Sequence, residues 1–174
     1  MKSRECREMV LCWLADGSFD GRLPEVAALR GVQQPEEYHG EGDAYIHTML
    51  AIEAVDDNED PRVFWGALLH DIGKSEKTFF DGIRWRSVGH AEAGAQLVPA
   101  IMLRLGFPEL SADVAWLVRH HLFHFSWNLG SDIRLTRKPA GSTRRPPLFR
   151  RASYCSPSAW TCPLPRPAGA GLPA

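Results

Sequence analysis

The apolar positions along the chain fall into a succession of helical stretches separated by polar or glycine-rich breaks. Residues 4–15 carry Met9, Val10, Leu11, Trp13 and Leu14 among charged neighbours, the pattern of an amphipathic helix that Asp16-Gly17 stops. Residues 23–29 read as a short helix with Pro24 in its first turn. A polar loop follows over residues 31–42, with Gln33, Gln34, Pro35, His39 and Glu41. Asp43 can cap a helix over about 44–55, in which Leu50, Ala51 and Ala54 stand at helical spacing below His47. The acidic loop Asp56-Asp57-Asn58-Glu59 ends at Asp60-Pro61, a capping carboxylate followed by proline at the first helical position.

The next helix is the centre of the chain. The mostly apolar run Phe64-Trp65-Gly66-Ala67-Leu68-Leu69 delivers His70 and Asp71 side by side, and Ile72-Gly73-Lys74 follows. Helical spacing puts Val63, Ala67 and the His70/Asp71 pair on one face, with Phe64, Leu68 and Ile72 beside them. Gly73 is expected to end the helix as a left-handed cap. Residues 75–88 read as a loop around Asp81-Gly82 that forms a small hairpin. Gly89-His90 opens another helix with Ala91, Ala95, Val98, Met102 and Leu105 in step, bent at Pro99 and closed by Gly106-Phe107-Pro108. Ser111 is expected to cap a last helix running from 112 to about 125, with His120, His121 and His124 at its end. Trp13, Phe64, Trp65 and Trp116 are expected in the core. Trp85, between Arg84 and Arg86, is expected on a solvated hairpin edge. The pattern predicts a compact all-α bundle of five or six helices over residues 1–131.

Composition changes the picture only near the end. The net charge of -1 conceals a split: residues 1–132 hold all 21 acids against 12 Lys/Arg, whereas residues 133–174 hold eight Lys/Arg, eight prolines and no acid. The first part is acidic, which suits cation binding and disfavours a general nucleic-acid surface. By composition, residues 132–174 form a Pro/Arg-rich tail without a core. The four cysteines, Cys6, Cys12, Cys155 and Cys162, show no CxxC pair, so neither a zinc ribbon nor a disulfide framework is indicated. Neither a membrane-length apolar stretch nor a basic-then-apolar leader is evident, and a cytoplasmic location is the expectation.

The remaining chemistry is that of imidazoles and one carboxylate. Neutral imidazole and carboxylate suit divalent ions such as Mn, Fe, Co, Ni and Zn, and a carboxylate can bridge two of them. Two-ion sites serve in-line displacement at phosphorus. One ion turns a bound water into hydroxide, and the pair offsets charge on the phosphoryl oxygens. His39 and His124 read as surface residues.

His47, then His70-Asp71 after 23 residues, then Ile72-Gly73-Lys74, resembles the HD superfamily of metal-dependent phosphohydrolases. Gly89-His90-Ala91-Glu92 and His120-His121 resemble the additional ligands of its two-metal branch. The flanks Leu23-Pro24-Glu25-Val26, Gly31-Val32-Gln33-Gln34-Pro35 and His39-Gly40-Glu41-Gly42-Asp43 resemble the HD module attached to bacterial CCA-adding tRNA nucleotidyltransferases, whose Gly-rich strand–turn and paired Asp motif are absent before residue 20. The resemblance covers about residues 20–130. It implies that Asp71 bridges two metals, that His47 and His70 serve one site with a further Asp from a later helix, and that His90, His120 and His121 serve the other. It implies one or two divalent ions per chain (Mn, Fe, Co, Ni, Zn or Mg) and a Lys74 that neutralises substrate phosphate.

The late Asp is where the sequence departs from that pattern. It is due some 25 or more residues beyond His121, yet Asp132 is the last acid of the chain and stands too early. The missing acid and the composition break together suggest a frameshift in a GC-rich gene, with the true chain continuing as one or two helices after about residue 131. The expected function is hydrolysis of a phosphomonoester or phosphodiester, a nucleotide foremost, by metal-bound hydroxide. The alternative is an accessory module that binds nucleotide or tRNA and partners a nucleotidyltransferase. A helical scaffold with a structural metal is the third reading.

Overall fold

The computed structural model describes residues 1–35 and 43–122. Five longer helices make the bundle: α1 (Ser3–Ala15), α4 (Ala44–Ala54), α5 (Pro61–Leu69), α7 (His90–Leu105) and α8 (Ser111–His120). Three single-turn helices join them: α2 (Phe19–Arg22), α3 (Pro24–Ala27) and α6 (Lys74–Lys77). The expected all-α bundle is the observed one. The expected short helix over 23–29 is α3, entered through Leu23, which lies outside helical geometry at φ -131°, ψ 59°, with Pro24 at its first position.

The caps explain where the site-bearing helices begin. Asp43 Oδ1 accepts from the Ile46 amide at 2.9 Å, and its Oδ2 accepts from the Gly31 amide at 2.7 Å. One carboxylate thus starts α4 and ties the preceding loop to it. Asp60 Oδ1 accepts from the Arg62 amide at 2.9 Å, with Pro61 first in α5. Arg7 of α1 donates to the Ile52 carbonyl at 2.6 Å and to the Val55 carbonyl, placing a cation on the free carbonyls that end α4. Ser111 does not cap α8; it is already helical, because the 3-10 turn Pro108–Leu110 runs straight into the helix.

The core lies between α1, α4, α5, α7 and α8. Trp13 and Trp65 are buried with ring centroids 6.4 Å apart, joining α1 to α5. Phe64, Leu68, Leu69 and Ile72 of the central run are fully buried, as are Val98, Ile101 and Met102 of α7 and Val114 and Val118 of α8. Trp116, expected in the core, is 62 % exposed: it stands off the buried Val114/Val118 stripe of α8. The helix α7 runs unbroken through Pro99. Between α6 and α7 the strands β1 (Phe79–Phe80) and β2 (Trp85–Arg86) pair antiparallel, Phe79 opposite Arg86 and Phe80 opposite Trp85. Asp81 closes this hairpin by accepting from the Ile83 and Arg84 amides at 2.9 and 2.8 Å.

Gly73 is not the left-handed cap its position suggests. Its φ of -70° and ψ of -12° are ordinary right-handed values. The glycine is required by space: a Cβ there would lie 2.1 Å from the His90 carbonyl oxygen and 2.7 Å from the Gly94 amide nitrogen. The turn after α5 therefore touches the backbone of α7, and this contact sets the distance between Asp71 and His90.

No helix among the described residues is long and apolar enough to cross a membrane. The expected tail over 132–174, Asp132, His39 and His124 lie outside the described residues.

Candidate metal centre

Five of the predicted residues meet in one place. His47 is the fourth residue of α4, His70 ends α5, Asp71 lies in the turn leading to α6, His90 opens α7, and His121 directly follows α8. Each stands on a different element or at its terminus. Asp71 is the hub and is only 1 % exposed. Its Oδ2 lies 3.0 Å from His70 Nε2 and 3.9 Å from His47 Nε2, while its Oδ1 lies 3.3 Å from His90 Nε2 and 3.7 Å from His121 Nε2. These form two groups that share the carboxylate, His47–His70–Asp71 and Asp71–His90–His121, each with ligand atoms within 4.8 Å of one another.

Hydrogen bonds from the far side of the rings fix what the near side offers. His70 Nδ1 lies 2.8 Å from the Ala67 carbonyl, His90 Nδ1 2.6 Å from the Ser87 carbonyl, and His121 Nδ1 2.7 Å from the Val118 carbonyl. A carbonyl only accepts, so each Nδ1 carries the proton and each Nε2 of a neutral ring keeps its lone pair. Three lone pairs then point toward a buried carboxylate, and His90 Nε2 faces His121 Nε2 at 3.2 Å. Such a cluster of acceptors repels itself until a cation enters it. Carbonyl-anchored imidazoles are also how proteins orient metal ligands. Asp71 Oδ2 is buried without a hydrogen bond, and only the Lys74 ammonium, 2.8 Å away, offsets its charge, so it is a polar atom that a bound ion would satisfy. The residues present therefore fit divalent ions.

Burial opposes ionisation of Asp71, but His70 and His90 when their Nε2 atoms carry protons, together with the Lys74 ammonium, hold its carboxyl below the usual carboxylate range. Burial pushes the His121 imidazole down to about 4, with the neighbouring His70 and His90 adding to the effect, so the ring is neutral at pH 7.

Two predicted residues sit differently. His120 is exposed and belongs to neither group; its ring lies 4.8 Å from that of Trp116. Adjacent residues at a helix end point about 100° apart, so of His120 and His121 one faces inward. Lys74 is not a solvated charge: it is 6 % exposed, its Nζ 2.8 Å from Asp71 Oδ2, and it donates to Gln34 Oε1 at 2.6 Å. Gln34 was not singled out by its sequence; it sits 40 residues away in a loop, and only folding brings it to Lys74. A cavity of about 900 Å³ opens over both groups, with Val63, Ala67, Trp116 and Leu117 on its apolar side and the histidines, Asp71 and Lys74 on the other.

A helical bundle in which His and His-Asp from successive helices converge with two later histidines defines a class of metal-dependent hydrolase fold. The HD domain family model matches residues 42–155, and the chain belongs to that family. The chain is similar to the multifunctional CCA proteins of Legionella pneumophila (strain Paris; 35% identical over 147 residues, 80% of this chain and 35% of the relative) and Neisseria meningitidis (serogroup C, strain FAM18; 38% over 150, 84% and 36%). It is similar also to that of Alkalilimnicola ehrlichii, at 41% identity over 149 residues, 84% of this chain and 34% of the relative. The chain thus spans about a third of the length of these relatives. No solved structure matches it.

Proposed function

We propose that the chain hydrolyses a phosphomonoester or phosphodiester, a nucleotide foremost, at the shared Asp71 site. The observation that carries this reading is the set of Nε2 lone pairs on His70, His90 and His121 directed at the buried Asp71 carboxylate, whose Oδ2 accepts no hydrogen bond. His47, His70 and Asp71 would hold one divalent ion and Asp71, His90 and His121 a second. Manganese, cobalt, nickel, iron, zinc and magnesium are all compatible with imidazole and carboxylate ligands. When bound, such ions activate water and offset charge on phosphoryl oxygens. Asp71 would be the ligand common to both groups, the carbonyl-anchored rings would keep their tautomer and direction, and Lys74 would add positive charge beside the phosphate. The cavity is wide enough to take the organic part of the ester beyond its phosphate. Nucleotide substrates imply a cytoplasmic location.

A second reading has its own support: the relatives are called multifunctional CCA proteins and are more than twice as long. In that reading the module binds nucleotide or tRNA ends beside a separate nucleotidyltransferase and hydrolyses little. Phosphatase and cyclic-phosphodiesterase assays with Mn, Co or Ni on wild type and Asp71→Ala separate the two. Hydrolysis abolished by Asp71→Ala is expected. Equal activity in both proteins defeats the assignment, and retained tRNA without hydrolysis favours the accessory module.

A further inference from the structure

The two ligand groups share a carboxylate but are not equivalent. Oδ1 serves His90 and His121; Oδ2 serves His47 and His70 and is also approached by Lys74 Nζ at 2.8 Å. Gln34 Oε1 accepts from the same ammonium at 2.6 Å, and both Lys74 and Gln34 are 6 % exposed. An ion bound about 2.1 Å from Oδ2 must then lie within about 5 Å of that ammonium whatever its direction. Two cations that close in a buried site repel with little screening.

We propose that Lys74, held in place by Gln34, is a built-in competitor for the Oδ2 ion, so that the chain loads its two groups unequally. Asp71–His90–His121 fills first and tightly, and His47–His70–Asp71 fills second and weakly. Gln34 is a positioning residue, acting through Lys74. When the second ion enters, the ammonium gives up Oδ2 and turns to the cavity that Lys74 already lines, where a phosphoryl oxygen is its next acceptor. Second ion and phosphate therefore favour each other, each helping to move the same side chain. This inference rests on the metal reading above.

Calorimetric titration of the full chain with Mn2+ tests it. Wild type is expected to bind in two unequal steps. In Lys74→Met the second step should tighten by about tenfold or more, with the first unchanged within about threefold. Lys74→Arg, which keeps the charge, should keep the weak second step, and Gln34→Met should fall between wild type and Lys74→Met. A second step that is no tighter in Lys74→Met overturns the competition, and a Gln34→Met value equal to wild type overturns the positioning role. If wild type binds no Mn2+, the metal reading itself fails and takes this inference with it. Should the Met variant not fold, wild type alone decides. Acetic anhydride labelling of Lys74, read by mass spectrometry, should stay low through the first equivalent of Mn2+ and rise with the second. Labelling unchanged as the second equivalent binds refutes the proposal.

Discussion

Replacing Gly73 with alanine adds one methyl group at the point where the turn carrying Asp71 meets the first turn of α7. That Cβ would sit 2.1 Å from the His90 carbonyl oxygen and 2.7 Å from the Gly94 nitrogen. Non-bonded atoms rest at about 3.5 Å, so the two segments must part by more than about 1 Å. Both obstacles are backbone, so no rotamer change relieves them. The φ and ψ of Gly73 suit any residue, so strain in the backbone itself contributes nothing. Overpacking of this kind costs about 1–3 kcal/mol. The entropy that alanine removes from the unfolded chain returns about 0.4–1 kcal/mol. With a contact as short as 2.1 Å the cost falls at the upper end of that range, so a net loss of about 2 kcal/mol is expected, read as a urea midpoint lowered by about 1 M at unchanged slope. His90 should also move away from Asp71, so Mn2+ affinity should fall at the group that contains it. Gly66→Ala is the control: the atoms nearest its Cβ belong to the Leu117 side chain, at 3.0 and 3.2 Å, and not to backbone, within α5 where alanine is the better helix former. It should change stability by less than about 1 kcal/mol. A Gly73→Ala protein as stable as wild type, with Mn2+ binding intact, would refute the close-approach argument.

Other substitutions test other parts of the structure. Asp71→Ala leaves the Lys74 ammonium buried without its counter-charge, and should lower stability by about 3 kcal/mol in chelator as well as remove metal binding; urea unfolding and calorimetry read the two losses separately. Asp43→Ala removes the α4 cap and the link to Gly31, a loss of about 1 kcal/mol by urea midpoint, and a midpoint unchanged within error contradicts it. In chelator, stability should fall as pH drops from 6.5 to about 4, because the unfolded chain protonates His121 in that window while the buried ring does not. The contribution is roughly 3 kcal/mol and should be missing from the slope of His121→Gln. The same slope in both proteins would show that His121 is not the buried neutral base described.

Much of this was legible in one dimension because its physics is local. Caps at Asp43 and Asp60 need only the next two or three amides. The stripe Phe64, Leu68 and Ile72 needs only the helical period, and all three are fully buried. The adjacency of His70 and Asp71, and the spacing to His47, marked the site without any coordinates. Errors arose where local signals compete with distant neighbours. Gly73 carries the mark of a left-handed cap but is a glycine because the α7 backbone presses against it. Trp116 is as apolar as Trp65, yet it stands off the buried Val114/Val118 stripe of α8 and borders the open cavity, so it stays exposed.

By itself, the sequence determined the helical class, the order of the helices and the residue types able to hold a cation. Periodicity, caps and side-chain chemistry act within a few residues of their origin. Tertiary structure alone decided which histidine of the pair 120–121 faces Asp71, which carbonyl fixes each ring, and that Gln34 meets Lys74. Those choices depend on the packing angle of helices far apart in the chain, which no window of neighbouring residues contains.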